Sequence, residues 1–224
     1  GFINLIIACL FYLLLPKSQH FQPYPFRFSR FKAAFEQNLK DRKLRILFAE
    51  GFILMGCLVT VFNYISYHLL EAPFQLSQSW IGLISIAYLA GIYSSSKAAQ
   101  WSFKYGRDKV LPLMLLMMMA GLLITLIPAL WAILLGLIIF AFAFFAAHST
   151  ASSWVSVQAI QYRAVAASLY LFCYYIGSSL LGSSGGLIWE NFGWVGINLG
   201  VSVVLVIGLI LALHLRGLVT LSST

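Results

Sequence analysis

The chain has 224 residues, of which 61% are hydrophobic and only 9% are Asp, Glu, Lys or Arg, where a soluble domain carries roughly 25% charged residues. So few charges cannot cover a water-facing surface, and several apolar stretches approach or exceed the ~18 residues that cross a bilayer as a helix. An ordinary soluble protein is excluded, and an all-α polytopic membrane protein embedded in a lipid bilayer is expected.

The first stretch, 1–15, is apolar, but a helix of that length covers only ~22 Å of a hydrocarbon core ~30 Å thick. It opens on Gly1, with no initiator Met and no basic n-region, so it does not read as a signal peptide. It is expected to be the end of a preceding transmembrane helix, in a chain that is a piece of something longer. Residues 16–43 form the one long connection. Its first part, "PKSQHFQPYPFRF", holds prolines that discourage regular structure. In its second part Phe28, Phe31, Phe35 and Leu39 recur at helical spacing, with Arg30, Lys32 and Lys40 on other faces. That pattern suits a short helix lying in the headgroup region of an anionic leaflet, with a solvated linker as the alternative.

Six apolar segments follow, at 44–69, 80–97, 110–127, 131–154, 164–188 and 195–215. The turn around Pro128 is so short that the helices flanking it must be antiparallel neighbours. Three helices before it and three after suggest a six-helix bundle in a 3+3 inverted-repeat arrangement. The connections at 16–43, 98–109, 155–163 and 216–224 fall on one side of the membrane. All 14 Lys and Arg lie on that side or at its edge. Such an excess marks the cytoplasmic side, so residues 16–43 and the C-terminus are expected to be cytoplasmic. The same bias accounts for the formal net charge of +8, so no nucleic-acid partner is expected.

Polar side chains within a bilayer helix each need a reason. On 44–69, Cys57, Thr60, Asn63, Tyr64, Tyr67 and His68 share with Glu50 a sector ~140° wide. The face suits a cavity wall, with Asn63, Tyr64 and Tyr67 offering hydrogen bonds and aromatic surface to a small molecule, or else interhelical bonding. Glu50 is the one carboxylate inside a span; it suits either proton coupling or a structural ion pair with Arg42, Lys43 or a basic loop. His148, Ser149, Ser152 and Ser156 share a sector of 131–154. On 164–188, Ser178, Gly182 and Gly186 form a small-residue packing seam. Tyr170, Tyr174 and Gly177 lie on another sector, open to a ligand. Cys9, Cys57 and Cys173 show neither metal spacing nor a disulfide pattern. No metal or other cofactor is implied. No zinc-protease, nucleophile-elbow or phosphate-loop motif occurs, so an enzyme is not expected.

The stretch "YGRDKVLPL" resembles the cytoplasmic loop motif of the major facilitator superfamily, with Gly106, Arg107 and Lys109 in matching positions. Phe103 and Lys104 stand where the motif has Asp and Arg, as in its decayed second copy between helices 8 and 9. The stretches "LFAEGFILMGCLVTVFNYISY", "FFAAHSTASSWV" and "AASLYLFCYYIGSSLLGSSGG" are similar to bacterial drug/proton antiporters, closest to a branch associated with acriflavine sensitivity. The resemblance implies the C-terminal half of a twelve-helix fold in a bacterial inner membrane, from the end of helix 6 to helix 12, with an N-terminal six-helix half as partner. It implies that 44–69 and 131–154 line a central cavity, and that protons and small-molecule substrates are the ligands. Thr60, Asn63, Tyr64, Tyr67, His148, Ser152 and Tyr174 are the expected cavity residues. The function expected is proton-coupled efflux of small hydrophobic or cationic compounds by alternating access. The alternatives are efflux of a sugar or other small metabolite, or a non-transporting scaffold or receptor.

Overall fold

The computed structural model describes residues 2–15 and 28–220, excepting the side chain of Thr220. They form α1 (Phe2–Leu14), α2 (Phe28–Lys40), α3 (Arg42–Leu70), the short α4 (Gln78–Gly82), a 3-10 stretch (Leu83–Tyr88), α5 (Leu89–Tyr105), α6 (Arg107–Ile124), α7 (Leu130–Gln158) and α8 (Arg163–Thr220). By length and composition α3, α7 and α8 can each cross a membrane. The predicted span 80–97 is divided between α4, the 3-10 stretch and α5, and α6 carries Arg107, Asp108 and Lys109 in its first turn. The predicted connection 189–194 shrinks to one residue, Gly193, whose φ of 56° breaks α8 into a first arm (163–192) and a second arm (194–220). Gly106, with φ of 92°, is likewise the whole break between α5 and α6. Both positions need a left-handed backbone that a side chain disfavours.

Contacts fix the helix directions. Along α3, Gly51, Gly56, Val59 and Tyr64 meet Tyr170, Gly177, Gly182 and Gly185 in that order, so the first arm runs parallel to α3. The second arm returns antiparallel, with Gly208 beside Glu50 at one end and Trp194 stacked on His68 at the other. Gly121 of α6 and Gly136 of α7 face each other backbone to backbone, so these helices are the antiparallel neighbours the Pro128 turn predicts. Long-range contacts then tie the ends. Asp41 Oδ1 accepts from the Lys43 and Leu44 amides (2.7 and 3.2 Å), capping α3, while its Oδ2 accepts from Gln158 Nε2 at the end of α7 (2.8 Å). Asp108 of α6 pairs with Arg216 of the second arm (3.6 Å). At the opposite end Trp194 Nε1 donates to the Thr125 carbonyl (3.2 Å).

The tightest packing lies between α3 and the first arm. A Cβ on Gly177 would collide with the Phe52 carbonyl, and one on Gly56 would stand 2.9 Å from the Gly177 carbonyl oxygen. Gly177, which sequence periodicity put on a ligand-facing sector, therefore belongs to the helix contact. Around this contact the core is apolar, with Leu47, Leu54, Val61, Ile65, Phe140 and Phe144 buried. The amphipathic helix α2 docks through Ala34 and Asn38, leaving Phe28, Phe31, Phe35 and Leu39 open. No residue of α1 is buried.

Since the obstacle at Gly177 is backbone, Gly177→Val should destabilise the folded bundle by about 1–3 kcal/mol. Gly217, with nothing within 4 Å of a built Cβ, is the control. Thermal unfolding in detergent should show a lowered transition for Gly177→Val and an unchanged one for Gly217→Ala.

Candidate functional site: a polar and aromatic face on α3, α7 and the first arm of α8

The polar sector predicted on α3 divides in two. Asn63 and Tyr67 are exposed, Tyr67 by 53%. Tyr64 leans onto the first arm, where its hydroxyl donates to the Gly182 carbonyl (2.9 Å) and its ring covers the bare backbone of Gly185. Trp189 completes a patch with both tyrosines, its ring centre 6.2 Å from Tyr64 and 6.0 Å from Tyr67. Helix geometry explains the grouping: Tyr64 and Tyr67 are three residues apart on one face, and the parallel first arm carries Trp189 to the same level. Thr60 and Cys57 instead turn inwards. Thr60 Oγ1 donates to the Gly56 carbonyl (2.7 Å), and Thr60 and Cys57 line a small cavity of about 60 Å³ together with Leu181, Ile188 and Val201. His68 is sandwiched between Trp194 and the edge of Phe74. These three do not share the open face.

A second cluster forms where α7 meets the first arm. His148 Nδ1 shares a 3.0 Å hydrogen bond with the Tyr170 hydroxyl, and the Tyr174 ring centre lies 4.7 Å from the imidazole. Phe144 stacks on the other side of His148 at 6.0 Å. Tyr174 is half-buried, whereas Tyr170 is 1% exposed and so cannot meet a ligand directly. Ser152 Oγ donates to the Ser149 carbonyl (3.3 Å) and Ser149 Oγ to the Ser95 carbonyl of α5 (3.4 Å). Aromatic contacts run on through Phe145 and Tyr88 to Phe62 on α3. Sequence periodicity missed Trp189, Tyr88 and Phe62, because each acquires its place from a neighbouring helix and not from its own repeat.

Of the packing residues, Gly182 lies against Val59 and Asn63, and Gly186 against the Tyr64 hydroxyl. Ser178 is partly buried, next to Gly177 at the closest approach. In the loop motif, Gly106 breaks the helix, Lys109 is exposed, and Arg107 Nε is buried without a hydrogen-bond partner. The motif residue with a long-range ion pair is Asp108, through Arg216. Glu50 makes no ion pair with Arg42 or Lys43: it is 0% exposed and neither carboxylate oxygen has a hydrogen-bond partner. It faces the second arm at Gly208. Among the described residues no cluster of His, Cys, Asp and Glu could hold a metal ion.

What this arrangement offers is weak, shape-based binding by aromatic faces, hydroxyls and an amide, with no paired nucleophile and base. The chain is 46% identical over 216 residues to a transporter of Buchnera aphidicola (subsp. Schizaphis graminum), covering 96% of this chain and 52% of that protein. It is 40% identical over 215 residues to the MFS-type transporter YybF of Bacillus subtilis, at 96% and 53%. With the inner membrane transport protein YnfM of Escherichia coli it shares 45% over 216 residues, at 96% and 52%. The chain is a relative of membrane transporters. It spans about half the length of the curated relatives it matches. No family model matches the chain.

The Tyr64 hydroxyl bond ties α3 to the first arm, whereas the Tyr67 hydroxyl is on the open side. Tyr64→Phe should therefore lower stability in detergent by about 0.6–1.7 kcal/mol, and Tyr67→Phe should leave the unfolding temperature where it was.

Proposed function

We propose that this chain is the C-terminal half of a major facilitator secondary transporter, and that the transporter couples proton movement to efflux of small hydrophobic or cationic compounds by alternating access. The observation that carries the reading is the open patch of Tyr64, Tyr67 and Trp189 with Asn63 at its edge. Such rings attract organic cations through their electron-rich faces and apolar compounds through their area. The similarity of all but a few residues to transporters twice as long supports an N-terminal six-helix half as the partner that covers this face. The stretch 1–15 would then end the preceding helix, and 16–43 would be the basic cytoplasmic connection, with α2 in the headgroup region. The end of the bundle holding Asp41, Asp108 and Arg216 is the cytoplasmic end in this reading, and the bacterial inner membrane is its location. Within the superfamily, the acriflavine-sensitivity branch of drug/proton antiporters is the reading we favour. The glycine contact of α3 with the first arm supports rocking as a rigid unit, since smooth backbone packing keeps that pair together.

The exposed amide of Asn63 beside tyrosine hydroxyls also suits a sugar, so efflux of a small metabolite is the second reading. Everted membrane vesicles carrying the full-length transporter distinguish the two. Under an imposed pH gradient, lipophilic cationic dyes should collapse the gradient and sugars should not. Tyr67→Ala should raise the half-saturating dye concentration roughly fivefold, the equivalent of one lost ring contact of about 1 kcal/mol. Collapse by sugars alone would move the assignment to metabolite efflux. Silence towards every compound, with folded protein present, would favour a scaffold or receptor.

A further inference from the structure

We propose that Glu50 is a proton-binding site of this half, sealed in the present conformation and opened when the second arm of α8 shifts against the pair of α3 and the first arm. The inference deepens the proton-coupled reading above and rests on it for its role in transport, though not for its chemistry. Three observations carry it. First, the carboxyl is completely buried and neither oxygen has a hydrogen-bond partner. An unpaired carboxylate in an apolar interior is far too costly to persist, so the group is stable there as the neutral acid. Second, its surroundings are fitted to it. Gly208 of the second arm leaves room for the carboxyl, with Oε2 3.4 Å from where a Cβ would stand, and Ile53 flanks the same glycine. The Tyr170 ring of the first arm lies directly across Gly51, the next residue of α3. Third, a polar and aromatic cluster continues from that ring to the half-buried Tyr174. Tyr170 bonds to His148, and His148 touches Tyr174.

Among the described residues, the titratable groups around the carboxyl are Cys57 on its own helix, two turns further along, and Tyr170 on the first arm, with His148 of α7 behind it. The second arm presents Gly208. A buried acid that only filled space would be better replaced by an apolar side chain, since burying one without a partner stabilises nothing. Uptake adds one proton to one carboxylate oxygen, and release returns that proton to water; no other bond changes. In this conformation the Tyr170 hydroxyl is engaged with His148 and Glu50 is bonded to neither, so exchange requires movement at the contact of α3 with the second arm. That requirement couples protonation to displacement of the second arm, while the glycine contact keeps α3 and the first arm together.

The test uses the full-length transporter. Infrared difference spectra of the purified protein should contain a protonated-carboxyl band that is absent from Glu50→Gln. An apolar carbodiimide, which adds only to protonated carboxyls, should label Glu50 of the wild-type protein by mass spectrometry, and this measurement needs no variant to fold. In vesicles Glu50→Gln should keep dye exchange down its own gradient, while flux driven by a pH gradient falls roughly tenfold or more. Absence of both the band and the label would overturn the site. A Glu50→Gln transporter driven by the pH gradient at the wild-type rate would overturn its role. If wild-type protein shows no proton-linked flux but the band and label are present, the antiport reading fails while Glu50 still binds a proton.

Discussion

The close approach of α3 to the first arm of α8 is the constraint on which the rest of the molecule depends. In a bilayer, lipid tails are as apolar as leucine, so helices associate through van der Waals contact and backbone proximity, not through exclusion from water. Gly177 against the Phe52 carbonyl, and Gly56 against the Gly177 carbonyl, allow that proximity. Everything at the candidate site is registered from it. Two turns towards one end, Tyr64 reaches the Gly182 carbonyl and Trp189 comes level with Tyr67. Towards the other end, Tyr170 settles over Gly51 and presents its hydroxyl to His148. A wider helix separation would break both clusters together.

The ends of the bundle are held by a different kind of interaction. At the basic end, Asp41 joins the start of α3 to the end of α7, and Asp108 joins the start of α6 to the end of α8. At the other end the ties are uncharged, with His68 stacked on Trp194 and the Trp194 indole N–H donating to the Thr125 carbonyl. This asymmetry follows from the sequence, which spends nearly all its charges on one side. Aromatic rings suit the opposite boundary because one edge can be wet while the body stays in hydrocarbon.

How much of this was legible in the sequence depends on what determines each feature. The spans follow from runs of apolar residues: helix covers most of each, with 80–97 divided by a 3-10 stretch, and α3, α7 and α8 are long and apolar enough to cross a membrane. The helix in the 16–43 connection follows from the spacing of Phe28, Phe31, Phe35 and Leu39. The face of α3 was legible in direction but not in extent. Periodicity grouped Thr60 and Cys57 with Asn63 and Tyr67, yet a sector ~140° wide meets more than one neighbour, and only the packed bundle decides which part stays open. The same reason misplaced Gly177, whose sector is set by where Phe52 lies. Of the two readings open for Glu50, the ion pair with Arg42 or Lys43 is not formed, because helical position gives depth but not which neighbour a side chain faces, and Glu50 faces Gly208. Pairs such as Asp108 with Arg216, far apart in the chain, leave no local signal.

In the proposed transporter the Asn63, Tyr64, Tyr67 and Trp189 face walls a water-reachable cavity. The most direct measurement of this is thiol accessibility in the full-length protein, with Cys9, Cys57 and Cys173 replaced by serine. Asn63→Cys and Tyr67→Cys should react with a membrane-impermeant maleimide and be protected by a transported compound, while Leu199→Cys, exposed on the second arm, stays unreactive. If cysteines at 63 and 67 prove as inert as the one at 199, this face meets lipid or a packed helix, and the account of the site is wrong.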